Sequence, residues 1–389
     1  MAGHIARGEV PGLVTLVSRR GEVHVDAIGS AAIGGADPMR RDTLFRLASL
    51  TKPLVAAATM ILVEECKLRL DDRIDRLLPE LADRKVLKRI DGPLDDTVPA
   101  RRPITVRDLL TQRFGFGLIM GAGDALPIEK AVSELGIMTL GPPKPAIHHG
   151  PDEWVRRLGT LPLMYHPGER WAYNTAFYVL GVLIARASCR PLETFLRERL
   201  FEPLGMKDTG FSVPAQDRDR LATCYHATGK AAGTPALEVH DGVEDSQWNE
   251  PPIFPDGAAG LVSTVDDYLA FGQMMLEGGK HGRERILSRL SVEAMVADQL
   301  TPEQKAVSGL VPGYWDNLGW GFGVGVVTRR DGIAAVPGRF GWDGGYGTSW
   351  ASDPREGVVA ILMTQRLGFP LYSKVRLDFW TSVYQAIDD

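Results

Sequence analysis

The feature that most constrains the fold is the position of the β-strand patterns, which lie at both ends of the chain. Residues 12–31 hold two runs rich in Val and Ile that turn at Arg20-Gly21, which predicts a hairpin. The C-terminal third holds three more strand patterns, joined by Gly, Asp and Pro: "LGWGFGVGVVTRRDG", "GTSWASDP" and "EGVVAILMTQR". A helix pattern follows them in "KVRLDFWTSVYQAIDD". We therefore predict an α+β fold, with one antiparallel sheet built from both termini and flanked by helices.

The middle of the chain is mostly helical by its spacing of apolar residues. Helix patterns occur in "ITVRDLLTQ", "PDEWVRRLGT", "TAFYVLGVLIARAS", "PLETFLRERLF" and "STVDDYLAFGQMMLEGG". This predicts a discontinuous sheet domain, residues 1–70 and 256–389, and a mostly helical inserted domain, residues 71–255. The cleft between them is the expected place for a site. Segments 115–150 and 225–257, rich in Gly, Pro and His, are expected to form lids or pocket walls.

Composition and charge exclude several classes of partner. The 389 residues carry a net charge of −5 and the pI is near 6.0, so a nucleic-acid partner is not expected. No run approaches the ~18 apolar residues that a membrane helix needs. No signal peptide is recognisable before the first strand. The three cysteines, Cys66, Cys189 and Cys224, are too widely spaced for a disulfide framework or a metal pair, which favours the cytoplasm.

One polar pair stands at the start of the apolar helix pattern "RLASLTKPLVAAATMILVEE". Ser49 occupies a position typical of a helix cap, and Lys52 follows three residues later on the same helix face. Burial of such a lysine lowers its pKa, and a neutral amine can take the proton of a serine hydroxyl. The pair is therefore a candidate nucleophile and base. The alternative is a capping serine beside a solvated lysine.

Further segments, in the same order, resemble the serine β-lactamase and penicillin-binding protein superfamily. The likeness is greatest to class C β-lactamases and to the esterases of that fold (family VIII carboxylesterases). The segments that carry it are Ser49-Leu50-Thr51-Lys52 as S-x-x-K, "PITVRDLLTQRFGFG", "HPGERWAYNTAFYVLGVLIA", "FEPLGMKDTGF" and "GAAGLVSTVDDYLAFGQMML". The resemblance extends from about residue 8 to the end, whereas no G-x-S-x-G, H-E-x-x-H or Walker motif is present.

This resemblance implies a role for each matching residue. Ser49 would be the nucleophile, Lys52 the amine that activates it, and Tyr173 a third catalytic group that shares the proton transfer. Because a phenol titrates near ~10, Tyr173 would need the nearby Lys52 cation to become a base. Trp342-Asp343-Gly344 matches the W-x-G form of the family's K-T-G element, and the N–H groups of Gly345 and Ser49 would form an oxyanion hole. Without the resemblance, Tyr173 would be interpreted as a packing aromatic, and residues 342–345 as a glycine-rich turn between strands.

Three positions depart from the family's motifs. Thr175 replaces the asparagine of Y-x-N: its hydroxyl can bond to Lys52, but it lacks the amide that contacts a penicillin. Trp342 replaces the lysine that meets a carboxylate. Gln112 and Arg113 replace His-Thr of the L-T-H-T-S-G segment, with no role assigned to them. The first two changes weaken the lactam interpretation more than the ester interpretation.

The sequence therefore predicts a serine hydrolase that acts on a small-molecule carboxylic ester through an acyl-enzyme. No metal or organic cofactor is expected, since His148, His149 and His166 lack an acid or cysteine at ligand spacing. Three alternatives stay open. They are a β-lactamase or D-alanyl-D-alanine carboxypeptidase, an acyltransferase that uses an alcohol in place of water, and a non-catalytic ligand-binding protein of the same fold.

Overall fold

The computed structural model describes residues 1–119, 126–137, 147–228, 236–368 and 373–388. The predicted wall segments 115–150 and 225–257 thus lie partly outside the described residues. The α-helices in these ranges are α1 (Ala2–Ala6), α2 (Thr51–Glu64), α3 (Val106–Leu110), α4 (Pro127–Leu135), α5 (Pro151–Thr160), α6 (Thr175–Ser188), α7 (Leu192–Leu196), α8 (Glu202–Leu204), α9 (Val265–Leu276), α10 (Arg289–Met295), α11 (Pro302–Ala306) and α12 (Lys374–Gln385). The strands are β1 (Gly12–Arg19), β2 (Glu22–Gly29), β3 (Phe45–Arg46), β4 (Lys85–Leu87), β5 (Thr97–Pro99), β6 (Cys224–Thr228), β7 (Ala236–Asp241), β8 (Val262–Ser263), β9 (Lys280–His281), β10 (Glu284–Arg285), β11 (Leu318–Trp320), β12 (Gly325–Val327), β13 (Phe340–Gly344), β14 (Thr348–Asp353), β15 (Val358–Met363) and β16 (Arg366–Leu367).

A seven-stranded antiparallel sheet forms the centre of the structure, in the order β11-β12-β13-β14-β15-β1-β2. β1 pairs with β15, with Val14 opposite Met363, so strands from the two ends of the chain lie side by side. The β1–β2 hairpin turns at Arg20 and Gly21, whose φ angles are both positive, as the common two-residue hairpin turn requires. The predicted sheet built from both termini is therefore confirmed, and the fold is α+β.

The C-terminal strands are more numerous than predicted. The segment "LGWGFGVGVV" forms two short strands, β11 and β12, because the chain turns between them, where the N–H of Gly321 donates to the carbonyl of Val324 (2.8 Å). At Gly323, which has a φ of 76°, a side chain would lie 2.6 Å from the methyl of Ala56 on α2. Glycine is thus required for this turn to approach α2. Strand β13, between the predicted runs, is a further strand of the sheet.

Helices cover both faces of the sheet. On one face, α9 lies close to β14, where the Ser352 hydroxyl donates to the carbonyl of Gly272 (2.9 Å). On the other face, the indole N–H of Trp380 on α12 donates to the Ser349 hydroxyl (3.0 Å). Residues 51–62 of α2 are all buried, so the apolar helix pattern that begins with Ser49 and Lys52 lies in the core.

The middle region is mostly helical, as predicted, with the short strand pairs β4–β5 and β6–β7 in addition. One hydrophobic cluster joins Leu54 of α2 to Trp154 of α5 and Leu180 of α6. The boundaries at residues 71 and 255 stay a prediction. Among the described helices, none is both long and apolar enough to cross a membrane. The same ranges contain no group of three or more His, Cys, Asp or Glu side chains arranged to hold a metal ion.

Candidate active site

Ser49 lies in a single 3-10 turn, Ala48–Leu50, that leads into α2. The N-cap position of α2 is Leu50, and no side chain caps this end of the helix, so Ser49 does not act as the cap that its position suggested. Ala48 has a φ of 48°, in the left-handed region that non-glycine residues rarely adopt. The serine hydroxyl is thus not used to end the helix, and it contacts Lys52 instead.

Lys52 is fully buried, one turn further along α2. Its amine hydrogen-bonds the hydroxyl oxygen of Ser49 (3.1 Å) and donates to the carbonyl of Ala258 (2.8 Å). Burial lowers the pKa of Lys52 to about 7, although the carboxylate of Asp256 acts in the opposite direction. Near neutral pH much of this amine is therefore uncharged, and its lone pair is able to accept the proton of Ser49.

Tyr173 lies at the junction before α6, and its hydroxyl also contacts Ser49. This hydroxyl hydrogen-bonds Ser49 and accepts the indole N–H of Trp342 at 2.9 Å. The amine of Lys52 is 4.7 Å from the centre of the Tyr173 ring. Burial raises the pKa of Tyr173 well above its usual value, and the two hydrogen bonds only partly oppose this. This direction does not favour the expectation that Lys52 turns Tyr173 into a base, and it is more consistent with a phenol that donates its proton.

Gln112 holds the chain on both sides of Tyr173. Its backbone carbonyl accepts the N–H of Ala172 (2.8 Å), and its side-chain oxygen accepts the N–H of Asn174 (2.5 Å). Asn174 has a φ of 88°, and this strained residue allows α6 to begin at Thr175 directly after it. Thr175 is fully buried at that first helical position. Gln112, to which the sequence assigned no role, thus fixes the backbone that presents Tyr173.

Strand β13 brings Trp342 and Gly344 beside Ser49. Besides its bond to Tyr173, the indole of Trp342 stands edge-on to Trp320, with ring centres 4.6 Å apart. A side chain at Gly344 would lie 2.3 Å from the carbonyl oxygen of Leu47, two residues before the serine. Only glycine therefore allows β13 to approach the serine turn this closely.

Gly345 is the first residue after β13 and lines the same cavity as Ser49. Its carbonyl accepts the N–H of Gly368 (3.1 Å). In the part of the chain that the structure describes, neither its own N–H nor that of Ser49 has a hydrogen-bond acceptor. Two unused backbone donors at the cavity of a serine are what an oxyanion hole requires.

Asp343 is turned to the other face of β13, as the alternation along a strand dictates. Its carboxylate accepts hydrogen bonds from the hydroxyl of Ser349 (2.5 Å) and the guanidinium of Arg376 on α12 (2.6 Å). The side chains of this ion pair are only 16% and 19% exposed. Asp343 therefore lines the cavity as one half of a neutralised pair and not as an isolated charge.

The cavity that Ser49 and Tyr173 share has a volume of about 400 Å³. Its walls are mainly aliphatic and aromatic, and they include Leu118, Leu310, Tyr314, Leu318, Trp342 and Leu367. A cavity of this size and lining suits a small organic molecule with apolar groups.

Three residues behind Lys52 were not predicted from the sequence: Asp256, Ala258 and Tyr178. Asp256 accepts the N–H groups of Ala258 (2.6 Å) and Ala259 (3.2 Å), and it hydrogen-bonds the hydroxyl of Tyr178. The only local signal is an aspartate followed by small residues, "DGAAG", which is typical of a turn closed by an Asp side chain. Nothing in that signal places the turn against Lys52.

Comparisons with known proteins identify the family of this chain. The sequence profile of the Beta-lactamase family matches residues 1–384. Protein Rv1367c of Mycobacterium tuberculosis is 40% identical over 366 residues, which cover 92% of this chain and 86% of that protein. Esterase EstB of Burkholderia gladioli is 33% identical over 379 residues, covering 91% and 85%. The solved structure of EstCE1, a hydrolase with promiscuous acyltransferase activity, superposes with a TM-score of 0.79 at 26% identity, covering 98% of this chain and 96% of that one. Because the match spans nearly the whole chain in both sequence and fold, this protein belongs to the Beta-lactamase family.

Proposed function

We propose that this protein is a serine esterase that hydrolyses small carboxylic esters through an acyl-enzyme on Ser49. The observation that carries the proposal is the 3.1 Å contact between the Ser49 hydroxyl and the buried amine of Lys52, whose pKa is lowered to about 7. A serine beside a neutral amine is an activated nucleophile. The name of the relative EstB and the description of EstCE1 as a hydrolase support ester chemistry.

In the acylation step, Lys52 takes the proton of Ser49 while the serine oxygen bonds to the ester carbonyl carbon. The carbonyl oxygen becomes negative and is bound by the N–H groups of Ser49 and Gly345. The carbon–oxygen bond to the alcohol then breaks, and the phenol of Tyr173 gives its proton to the leaving alkoxide. The proton held by Lys52 restores this phenol, so both groups end the step uncharged.

Deacylation uses the same groups with water in place of the alcohol. Water loses a proton to Lys52 and attacks the acyl carbon, and the serine oxygen leaves with a proton from Tyr173. The proton held by Lys52 then restores the phenol, so the acid product is released and all three groups return to their starting state. If an alcohol takes the place of water, the product is a new ester. That second reaction is the acyl transfer named in the description of EstCE1.

The lining of the cavity favours neutral esters over β-lactams. Trp342 offers Tyr173 a neutral N–H donor, where the resemblance has a lysine that meets a carboxylate. Arg376, which lines the same cavity, is already paired with Asp343. A lactam carboxylate would therefore find no unpaired cation at position 342 or 376. The remaining cation of the lining, Arg339, lies over the ring of Trp380 (4.5 Å) and donates to the carbonyl of Ala334.

The test is rapid-mixing hydrolysis of p-nitrophenyl butyrate by the wild type and by Ser49→Ala. Ser382→Ala is the matched control, because Ser382 is exposed and bonds only within α12. We expect a burst of nitrophenol in the wild type and the control, none in Ser49→Ala, and slower turnover of nitrocefin. A fluorophosphonate should label Ser49, as peptide mass spectrometry would show. Equal slow release from all three proteins, without labelling, would favour a non-catalytic ligand-binding protein, and faster turnover of nitrocefin would favour a β-lactamase.

A further inference from the structure

Asp256 is a buried acid that the catalytic steps above do not use. It is 3% exposed, and it forms no ion pair with any described residue. Its hydrogen bonds come from two backbone N–H groups and from the hydroxyl of Tyr178. An unpaired carboxylate is costly to bury, so its place in the core needs an explanation.

One residue connects this acid to the amine of Lys52. Ala258 donates its N–H to Asp256 (2.6 Å), and its carbonyl accepts a hydrogen bond from Lys52 (2.8 Å). Gly257 allows this turn to pack closely against α6, because a side chain at that position would lie 2.6 Å from the carbonyl oxygen of Phe177 on that helix. A change at Asp256 would therefore move the carbonyl that holds Lys52.

We propose that Asp256 is a positioning residue for Lys52: it fixes the carbonyl that binds the amine, and its negative charge keeps this amine a competent base. The proposal rests on the esterase function, because it assigns a task to the same amine. It also explains why the residue is charged. The turn alone does not require a carboxylate, since a neutral side-chain oxygen would accept the same two N–H groups.

The charges around the pair are few. Lys52 faces Asp256 and the ring of Tyr173, while Asp256 faces Lys52, Tyr178 and, at longer range, Tyr346. Burial raises the pKa of all three tyrosines, so they stay neutral. Burial also raises the pKa of Asp256 to about 6, so above that pH Asp256 is the charge that opposes the effect of burial on Lys52. A base is most effective when its pKa lies near the working pH, and without the carboxylate this amine would be a weaker base.

Asp256→Asn is the informative variant, because an amide oxygen still accepts the N–H groups of Ala258 and Ala259. We expect the midpoint of Lys52 to fall, which ¹³Cε-lysine NMR of the full chain measures without any substrate. Lys52→Arg identifies the signal. Asp267→Asn is the matched control, because Asp267 is a similarly buried acid far from Lys52 in its contacts: it accepts the backbone N–H of Asp208 and the hydroxyl of Thr209.

The pH profile of kcat/KM gives a second readout. In Asp256→Asn we expect a lower plateau and an acid limb shifted to lower pH, so that the rate at pH 6, relative to the plateau, rises at least about twofold. An unchanged or raised titration midpoint of Lys52 would refute the proposal. A lower rate with an unchanged pH profile would also refute it, because that is the result expected of a purely structural role. Should Asp256→Asn fail to fold, Tyr178→Phe removes a hydrogen bond to the carboxylate and should shift Lys52 in the same direction by less. If the proposed esterase function were wrong, turnover would not depend on Ser49, whereas the change in the Lys52 midpoint would still be seen by NMR.

Discussion

Replacing Trp342 by phenylalanine tests how the proton of Tyr173 is controlled. The variant keeps a ring near Trp320 but loses the indole N–H that donates to the Tyr173 hydroxyl at 2.9 Å. In the resting phenol this hydrogen bond joins neutral groups and is worth about 1 kcal/mol. Once Tyr173 has given its proton to the leaving alkoxide, its oxygen is negative and the same bond is worth roughly 2–3 kcal/mol.

Only the difference between these two values, about 1–2 kcal/mol, lowers the barrier, because catalysis depends on interactions that strengthen in the transition state. At about 1.4 kcal/mol for each factor of ten, we expect kcat/KM for ethyl butyrate to fall by roughly 5- to 30-fold. Nitrophenolate leaves without needing a proton. The same variant should therefore change kcat/KM for p-nitrophenyl butyrate very little. A pH-stat follows the first ester, and absorbance follows the second.

A double-mutant cycle with Tyr173→Phe separates this effect from a change of packing. In that background the indole N–H has no hydroxyl to bind, so Trp342→Phe should cause little further loss on ethyl butyrate. If the loss is as large without Tyr173 as with it, or equal for the two esters, Trp342 acts through packing, and the proton-donor role of Tyr173 would have to be abandoned.

Two further predictions concern charge. Lys52→Met should abolish turnover and raise the free energy of unfolding at pH 7 by roughly 1–3 kcal/mol. The reason is that the pKa of the wild-type amine falls from 10.5 in the free side chain to about 7 in the fold, so folding at pH 7 costs free energy for proton release. The wild type gains stability as the pH rises from 7 to 10, so this advantage should shrink over that range in urea titrations, and a constant advantage would contradict it. Asp343→Asn breaks the ion pair with Arg376 and should destabilise the fold by about 2 kcal/mol in the same titrations. It should also raise kcat/KM for p-nitrophenyl hemisuccinate relative to p-nitrophenyl butyrate, and Arg376→Gln should not.

Features set by neighbouring residues were predictable from the sequence. The pattern "TAFYVLGVLIARAS" coincides with α6, since fourteen residues without Pro or a turn signal follow a strained Asn174. The hairpin at Arg20-Gly21 follows from a local need for positive φ. The proximity of Ser49 and Lys52 follows from one turn of helix.

Features set by the tertiary fold were not predictable in this way. The bond between Trp342 and Tyr173 joins residues 169 apart, and the bond between Lys52 and Ala258 joins residues 206 apart. The raised pKa of Tyr173 is a consequence of burial, which no local pattern reports. The division of "LGWGFGVGVV" into β11 and β12 depends on the close approach of Gly323 to α2, so the hydrophobic pattern alone suggested one strand.

The pKa that Lys52 needs as a base explains why hydrogen-bonding groups without full charges lie next to its site and why the nearest carboxylate lies further away. A carboxylate in direct contact would hold the amine as an ammonium ion, while a second cation at position 342 would drive its pKa still lower. The structure has neither: Trp342 and Ala258 supply hydrogen bonds without full charges, and the carboxylate of Asp256 lies behind the Ala258 turn. Burial and a carboxylate beyond ion-pair distance then oppose each other, and the pKa of Lys52 settles at about 7. At that value about half of the amine is uncharged at neutral pH, and the amine is still strong enough to take the proton of a serine, as a base at the positive end of a buried helix must be.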